Sequence, residues 1–329
     1  MGRKKHVFIG AAAAFLAAAV LSLCLGAVNV SLGELWQAAK NGPKNTAGYI
    51  FWYSRLPRTA ACLLAGAALS VSGAVIQSVL HNKLASPSII GVNAGAGLAV
   101  TVSCALGALS GWTIAASAFL GAMGAMLLVV FIGKKTGASR TTVILSGVAV
   151  NAILNALTEA LTTLVPEVAQ MRGDFRVGGF SSVSHVRLIP AAVLILAALA
   201  VLLVLGNELD VLALGDDTAS SLGMPVKRMR TVFLVLAAML AGAAVSFTGL
   251  LGFVGLIVPH AVRRIAGSDN RYLLPLCALA GGAFVTLCDV ASRVLFAPYE
   301  LPVGIVMSVI GGPVFLILLL NRKGGHGRG

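Results

Sequence analysis

Ten apolar runs divide this chain, and most of its polar residues lie between them. The runs cover roughly residues 7–28, 59–80, 89–109, 112–133, 141–165, 189–206, 231–248, 250–265, 273–296 and 303–321. A helix rises 1.5 Å per residue, so about 20 apolar residues cross the ~30 Å hydrocarbon core of a bilayer. The runs meet that need, with 250–265 marginal because Gly252, Gly255 and Pro259 break it. Barrel strands alternate apolar and polar residues, and these runs do not. With 58% hydrophobic and 11% charged residues, no soluble domain is expected. The expected fold class is all-α, a polytopic membrane protein of about ten transmembrane helices forming one domain over residues 1–329.

The formal net charge of +13 would suggest nucleic acid in a soluble protein. Here the positive-inside rule accounts for it, and no nucleic acid is expected. Ten crossings leave both termini on one side, and sixteen of the 24 Lys and Arg fall on that side. Both termini are therefore expected in the cytoplasm, together with the polar island at 207–230. Arg3, Lys4 and Lys5 before the first run resemble a signal peptide. The run is long enough to span, however, and bulky Leu23 stands where a lipoprotein cleavage box has a small residue, so it reads as an uncleaved first helix. Cys24, Cys62, Cys104, Cys277 and Cys288 sit in apolar runs without paired spacing and read as small buried hydrophobes. No His, Cys or Asp cluster has metal-ligand spacing, so no metal is expected.

Ser31 to Glu34 form a capping box, with Leu32, Leu35, Trp36 and Ala39 on one face, which suggests a short helix at the outer interface. In the island, Asp216 is placed to cap a short helix, Gly223 to end it and Pro225 to prevent its continuation. A basic strip follows: Lys227, Arg228 and Arg230. Such an island is either a solvated connector or a surface for a cytoplasmic partner. GAALSVSG at 66–73 and GAAVSFTG at 242–249 share five of eight residues and lie five runs apart. They would run in opposite directions, as in an inverted five-helix repeat with halves at about 7–206 and 231–321 around the island.

Asn151, Asn155, Thr158, Glu159 and Thr162 recur at helical spacing on the fifth run. Polar groups are costly in hydrocarbon, so this face should line a bundle interior or a water-filled path. Glu159 or Asp289 would be the proton carrier if the chain were a proton-coupled secondary transporter. Asp289 also stands four residues before Arg293, the spacing of an intrahelical ion pair. Arg55 and Arg58 flank Pro57 on the outer side, where they anchor to headgroups or present forks to carboxylates. Residues 249–260 are glycine-rich but no phosphate cradle; Pro259 should free a backbone carbonyl, and lone His260 reads as structural. No G-x-x-x-x-G-K-[ST] occurs, so the chain is not expected to hydrolyse ATP.

Taken together, these segments resemble the permease family of ABC importers for ferric siderophores, haem and vitamin B12. The resemblance is carried by Arg55-Leu56-Pro57-Arg58, GAALSVSGAVIQ (66–77), Asn82 to Pro87 with Gly91, and ILSGVAVN (144–151). It continues through Gly178-Gly179-Phe180, LALGDDTASSLG (212–223), GFVGLIVPHAVRR (252–264) and ELPVGIVMSVIGGPVFLILL (300–319). Lys83 replaces a usual proline, and Phe175 a usual tryptophan. The resemblance implies a second permease subunit, two cytoplasmic ABC ATPase subunits and an extracytoplasmic binding protein. It implies that ATP is used by the partner and that this chain, in a bacterial cell membrane, binds no cofactor. Carried over by position, Leu214, Gly215, Asp216, Asp217, Ala219, Leu222 and Gly223 would form the helix that couples to the ATPase. Arg55, Arg58 and Arg293 would meet the binding protein. Thr141, Thr142 and Ser146 would lie near the cytoplasmic mouth of a path continued by Asn151, Asn155, Thr158, Glu159 and Thr162. Gly252, Gly255, Pro259, His260, Pro302, Gly304 and Pro313 would be structural. The expected cargo is a ferric siderophore, with haem and cobalamin as alternatives.

Overall fold

The computed structural model describes residues 2–26, 32–135, 140–295, 297 and 299–320. Among them every regular element is helical: α1 (Gly2–Cys24), α2 (Leu32–Asn41), α3 (Thr46–Tyr49), α4 (Leu56–Leu80), α5 (Val92–Ala105), α6 (Gly111–Lys135), α7 (Arg140–Leu164) and α8 (Glu167–Met171). The second part holds α9 (Gly173–Val177), α10 (His185–Val204), α11 (Gly206–Leu212), α12 (Asp216–Ser221), α13 (Val226–Thr248), α14 (Val254–Ala266), α15 (Asn270–Val294) and α16 (Val303–Leu320). A π-helical stretch, Ile50–Arg55, joins α3 to α4 without a break.

Each apolar run contains a helix. By length and composition, seven described helical stretches can cross a membrane: 4–24, 46–80, 111–135, 140–164, 185–204, 226–248 and 270–294. The third and eighth runs give shorter helices than expected. The third loses its start to turns between Ser86 and Gly91. The eighth loses its start to a break at Gly249–Phe253, where Gly249 and Phe253 both have positive φ, 71° and 65°.

α4 is the axis of the bundle, packed against α13, α14 and α15. The motif at 66–73 explains how. A Cβ on Gly66 would stand 2.1 Å from the Gly281 carbonyl oxygen of α15, and one on Gly73 would stand 1.9 Å from that of Gly255 in α14. Small residues let membrane helices approach until backbone meets backbone. The serines between them reach out: Ser70 Oγ donates to Cys277 O at 2.5 Å, and Ser72 Oγ to Ala237 O at 2.6 Å. Pro259 has no N–H, so the Gly255 carbonyl loses its partner inside α14. Gln77 Nε2 of α4 donates to that carbonyl instead, at 3.2 Å.

α2 forms as expected; Ala38 is buried and packs with Phe51, while Trp36 and Ala39 are exposed, and Ser31 and the side chains of Leu32 and Leu35 lie outside the described residues. Two local expectations need correction. Gly252 has no neighbour within 4 Å of a would-be Cβ, so it supports a turn and not close packing. The two copies of the glycine motif also play different parts. Gly73 is inside α4, whereas Gly249 lies just past α13 in a left-handed conformation against Phe175 O.

Candidate transport site

α7 is a helix with two characters. Its polar residues Asn151, Asn155, Thr158 and Glu159 line a recess of about 330 Å³ closed on the other side by Ser88, Asn93, Arg172 and Arg176. Helical spacing brought the first four together; the tertiary fold added the two arginines, from α8–α9, which the sequence reading had not singled out. Arg172 is buried, donates to Thr101 Oγ1 at 3.2 Å and stands 3.8 Å from Glu159. Glu159 itself is 76% exposed. Thr158 and Thr162 are less available than expected, because each hydroxyl donates back to its own helix: Thr158 to Leu154 O at 2.8 Å, Thr162 to Glu159 O at 3.0 Å. Thr162 does not line the recess, and neither do Thr141, Thr142 or Ser146 in the first turns of α7. The other side of α7 exposes Ile153 and Leu157.

The polar island folds as two short helices, α11 and α12. Gly215, with φ 119°, occupies the N-cap position of α12. Asp216 is therefore not the cap that the sequence suggested: it is the first helical residue, and its carboxylate turns to two arginines. Arg140 Nη2 at the start of α7 and Arg230 Nη2 in α13 both stand 2.6 Å from it. Desolvation works to raise the Asp216 carboxyl, but the hydrogen bonds and charges of Arg230 and Arg140 outweigh it and hold the group below its ordinary range. The other end of α12 follows the expectation. Gly223 has φ 82°, Met224 N donates to Ala219 O at 3.0 Å and Gly223 N to Ser220 O at 2.9 Å, a Schellman ending. Ala219 is buried, while Leu214, Asp217 and Leu222 are exposed.

α11 is tied to the axis helix by a polar chain. Asp210 Oδ1 accepts from Asn270 Nδ2 at 2.7 Å, and Asn270 Oδ1 accepts from Ser78 Oγ at 3.0 Å. Arg263 donates to Ser78 Oγ at 3.0 Å and to Gln77 Oε1, which closes the chain onto the Gln77–Gly255 contact. His81, left-handed at the C-cap of α4, adds a bond between Nε2 and Ala213 O at 2.8 Å. No spacing along the chain pairs these residues, since the partners lie far apart in sequence.

On the opposite side, the expected arginines face inward. Arg55 and Arg293 are 5% and 4% exposed, and they satisfy the carbonyls left open at the C-terminus of α1. Arg55 donates to Leu23 O and Cys24 O, Arg293 to Leu25 O at 2.8 Å and Ser22 Oγ at 3.0 Å. The expected Asp289–Arg293 ion pair forms at 3.0 Å, and Asp289 is also bridged by Arg58 at 3.0 Å. Arg58 goes on to Glu300 at 2.9 Å. Arg58 and Glu300 line a second recess of about 630 Å³, with Asp174, Arg187 and Pro302. Gly304 is structural: its N–H donates to Gly178 O at 3.3 Å, and a Cβ there would stand 1.9 Å from Val177 O. Pro313 lies inside α16, and His260 is half-buried on α14. Among the described residues, no group of three or more His, Cys, Asp and Glu is placed to hold a metal ion.

A many-helix membrane bundle with a polar recess along a thinly covered helix, and a short polar helix between α11 and α13, is the build of a multi-pass transport protein. The chain belongs to the FecCD transport family, which matches residues 14–321. It is 39% identical over 284 residues to an uncharacterised ABC transporter permease protein, YvrB, of Bacillus subtilis strain 168, covering 83% of this chain and 79% of that one. It is 36% identical over 316 residues to the vitamin B12 import system permease protein BtuC of Salmonella paratyphi A, covering 93% and 92%. The cobalamin import system permease protein BtuC of Halobacterium salinarum is 38% identical over 288 residues, covering 86% and 76%. A solved structure described as an inward-facing conformation of an ABC transporter of metal-chelate type aligns with TM-score 0.87 and 28% identity, over 96% of this chain and 99% of that one. The chain is accordingly a permease of the ABC importer class.

Proposed function

We propose that this chain is the membrane subunit of an ATP-driven importer for a bulky metal chelate, and that α12 is where a separate ATPase takes hold. The observation that carries the reading is the outer face of α12. Leu214 and Leu222, which flank α12 just before and just after it, are each 63% exposed beside exposed Asp217, outside every candidate span. Paired exposed leucines with a rim charge mark a surface awaiting a partner. Gly215, Gly223 and buried Ala219 hold that surface in shape, while Asp216 faces the bundle. ATP-driven closure of two ATPases would press on α12 and, through it, on the helices around the path.

The same reading takes ten crossings, both termini in the cytoplasm of a bacterial inner membrane, a second permease subunit, and an inverted repeat. Supporting the repeat, α4 and α13 pack together, and each is followed by a short helix, α5 or α14, that starts after a left-handed residue, Gly91 or Phe253. Asn151, Asn155, Thr158 and Glu159 line the path, with Thr141, Thr142 and Ser146 at its cytoplasmic end. An external binding protein meets the region of Arg58 and Glu300, with Arg55 and Arg293 acting from behind by fixing α1. The names of the Salmonella and Halobacterium relatives support cobalamin as cargo; the ferric siderophore expected from the wider family stands beside it, with haem as a third candidate.

The test is ATP hydrolysis and uptake by the chain in vesicles with its ATPase subunit and a loaded binding protein. Cyanocobalamin and a ferric hydroxamate are offered in parallel. ATP-dependent uptake of one of them, lost in a Leu214→Glu/Leu222→Glu variant together with the ATPase complex, is expected. Uptake that follows a proton gradient and needs no ATPase would overturn the reading in favour of a carrier using Glu159.

A further inference from the structure

α12 is built differently on its two sides. Its outer side carries Leu214, Asp217 and Leu222, and its inner side carries Asp216. By packing, α12 rests on α11 and α13. α11 is anchored through Asp210 and Asn270 to the glycine-locked seam of α4, α14 and α15, which has no slack. α7, the helix that bears the polar recess, packs mainly on α5 and α6 and is buried over only 22% of its apolar stretch. The contact that joins α12 to α7 is ionic: Arg140, the first residue of α7, on the carboxylate of Asp216. Arg230 of α13 holds the same carboxylate from the other side through both oxygens. The carboxylate is free to do this because Gly215, and not Asp216, occupies the N-cap position.

Resting on the assignment of α12 as the ATPase-contacting helix, we propose that Asp216 and Arg140 form the strap by which α12 moves α7. Asp216 is a positioning residue. When α12 is pressed, Arg230 keeps the carboxylate in step with α13, and the Arg140 bond drags the cytoplasmic end of α7 along. A charge-assisted bond between a partly exposed pair suits this work, since it is directional and can slide or re-form, whereas interlocked glycine backbones have one arrangement. The two tethers divide the labour. The Asp210 chain keeps α11 on the rigid seam, and the Asp216 strap reaches the helix with room to move.

The strap predicts a particular uncoupling. In vesicles with the ATPase subunit, Arg140→Ala should still form the complex and still hydrolyse ATP. Uptake of whichever probe the wild type imports, cyanocobalamin or a ferric hydroxamate, should fall about tenfold or more, the scale of one lost charge-assisted hydrogen bond. The number read is uptake per ATP hydrolysed, which a merely structural defect would leave constant while lowering both rates. Arg140→Lys should recover part of it. Asp216→Asn, which keeps a bond to Arg230, should uncouple too, and the Arg140→Ala/Asp216→Asn double variant should be no worse than Arg140→Ala alone. Unchanged uptake per ATP in Arg140→Ala, or additive losses in the double variant, would overturn the strap. Failure of the wild-type chain to bind the ATPase at all would instead overturn the assignment of α12 beneath it.

Discussion

α4 and α7 are both 25 residues long and almost equally apolar, with mean hydropathy of 1.9 and 1.6 over their spanning stretches. Yet 83% of the first apolar stretch is buried inside the protein and only 22% of the second. The difference lies in side-chain size and placement. α4 carries glycine, alanine and serine on several faces, so α13, α14 and α15 close on it from different sides, and its hydroxyls find carbonyls on neighbouring helices. α7 carries leucines, valines and isoleucines outward and asparagines toward a recess, so it is held along one side. Hydrophobicity put both in the membrane; residue size decided which became the axis and which remained thinly covered. A lipid environment supplies no hydrophobic force between helices, so close van der Waals packing and polar contacts must hold the axis.

The sharpest way to break this contrast is to thicken α4. Gly73→Val places a branched side chain where even a Cβ would be 1.9 Å from Gly255 O, and backbone cannot give way as a flexible side chain does. No monodisperse protein is expected after detergent extraction, whereas Asn155→Val on α7 should give wild-type yield. Equal yields would mean that α4 is not the rigid element.

A smaller effect is expected at the far end of the same seam. Asp289 is wholly buried between Arg58 and Arg293. Asp289→Ala would leave the buried Arg293 guanidinium without a carboxylate and Arg58 with Glu300 alone, and should cost about 3–5 kcal/mol. Denaturant unfolding in detergent would read it, and a loss under about 1 kcal/mol, the scale of an exposed pair, would refute the buried-ion-pair account.

On α7 the same chemistry should matter little to stability. Glu159 is exposed and its pairing with Arg172 is long, so Glu159→Gln should change unfolding by about 0–1 kcal/mol and uptake by at most about fivefold. Abolished uptake with an intact ATPase complex would point instead to a proton step at Glu159.

The smallest effect concerns pH. Because Arg230 and Arg140 depress the Asp216 carboxyl, its ion pairs are complete above the ordinary value of about 3.9 and are lost only as pH falls through the lowered one. Both partners are guanidiniums, which stay charged throughout this range. Uptake per ATP should therefore be flat from about pH 8 to about pH 5; a midpoint inside that window would remove Asp216 as the ionic joint.

Much of the architecture could be read in advance because it depends on local or short-range quantities. Run length sets a spanning helix, Pro259 frees a carbonyl four residues back, Gly223 ends a helix, and Asp289 meets Arg293 one turn later. The Asn151–Glu159 stripe is of this kind too, since helical spacing alone puts those residues on one face. What misled was the target of a charge. Arg55 looked like half of an outward fork with Arg58, Arg293 was placed facing outward by the resemblance alone, and Asp216 looked like a cap. Where each group points depends on the element that arrives from elsewhere: α1 with open carbonyls in the first case, α7 and α13 with arginines in the second.

By itself, then, the sequence determined a helical membrane bundle, a short polar helix at 216–221 and one polar helix face, because length, hydropathy and 3.6-residue spacing are properties of contiguous residues. Only the tertiary structure decided that α4 is the axis, that Arg172 and Arg176 complete the recess, that two arginines close the end of α1, and that Asp216 meets arginines of both α7 and α13. Those contacts join residues up to 271 positions apart. Their energies depend on distances of a few tenths of an ångström, which no spacing along a chain encodes.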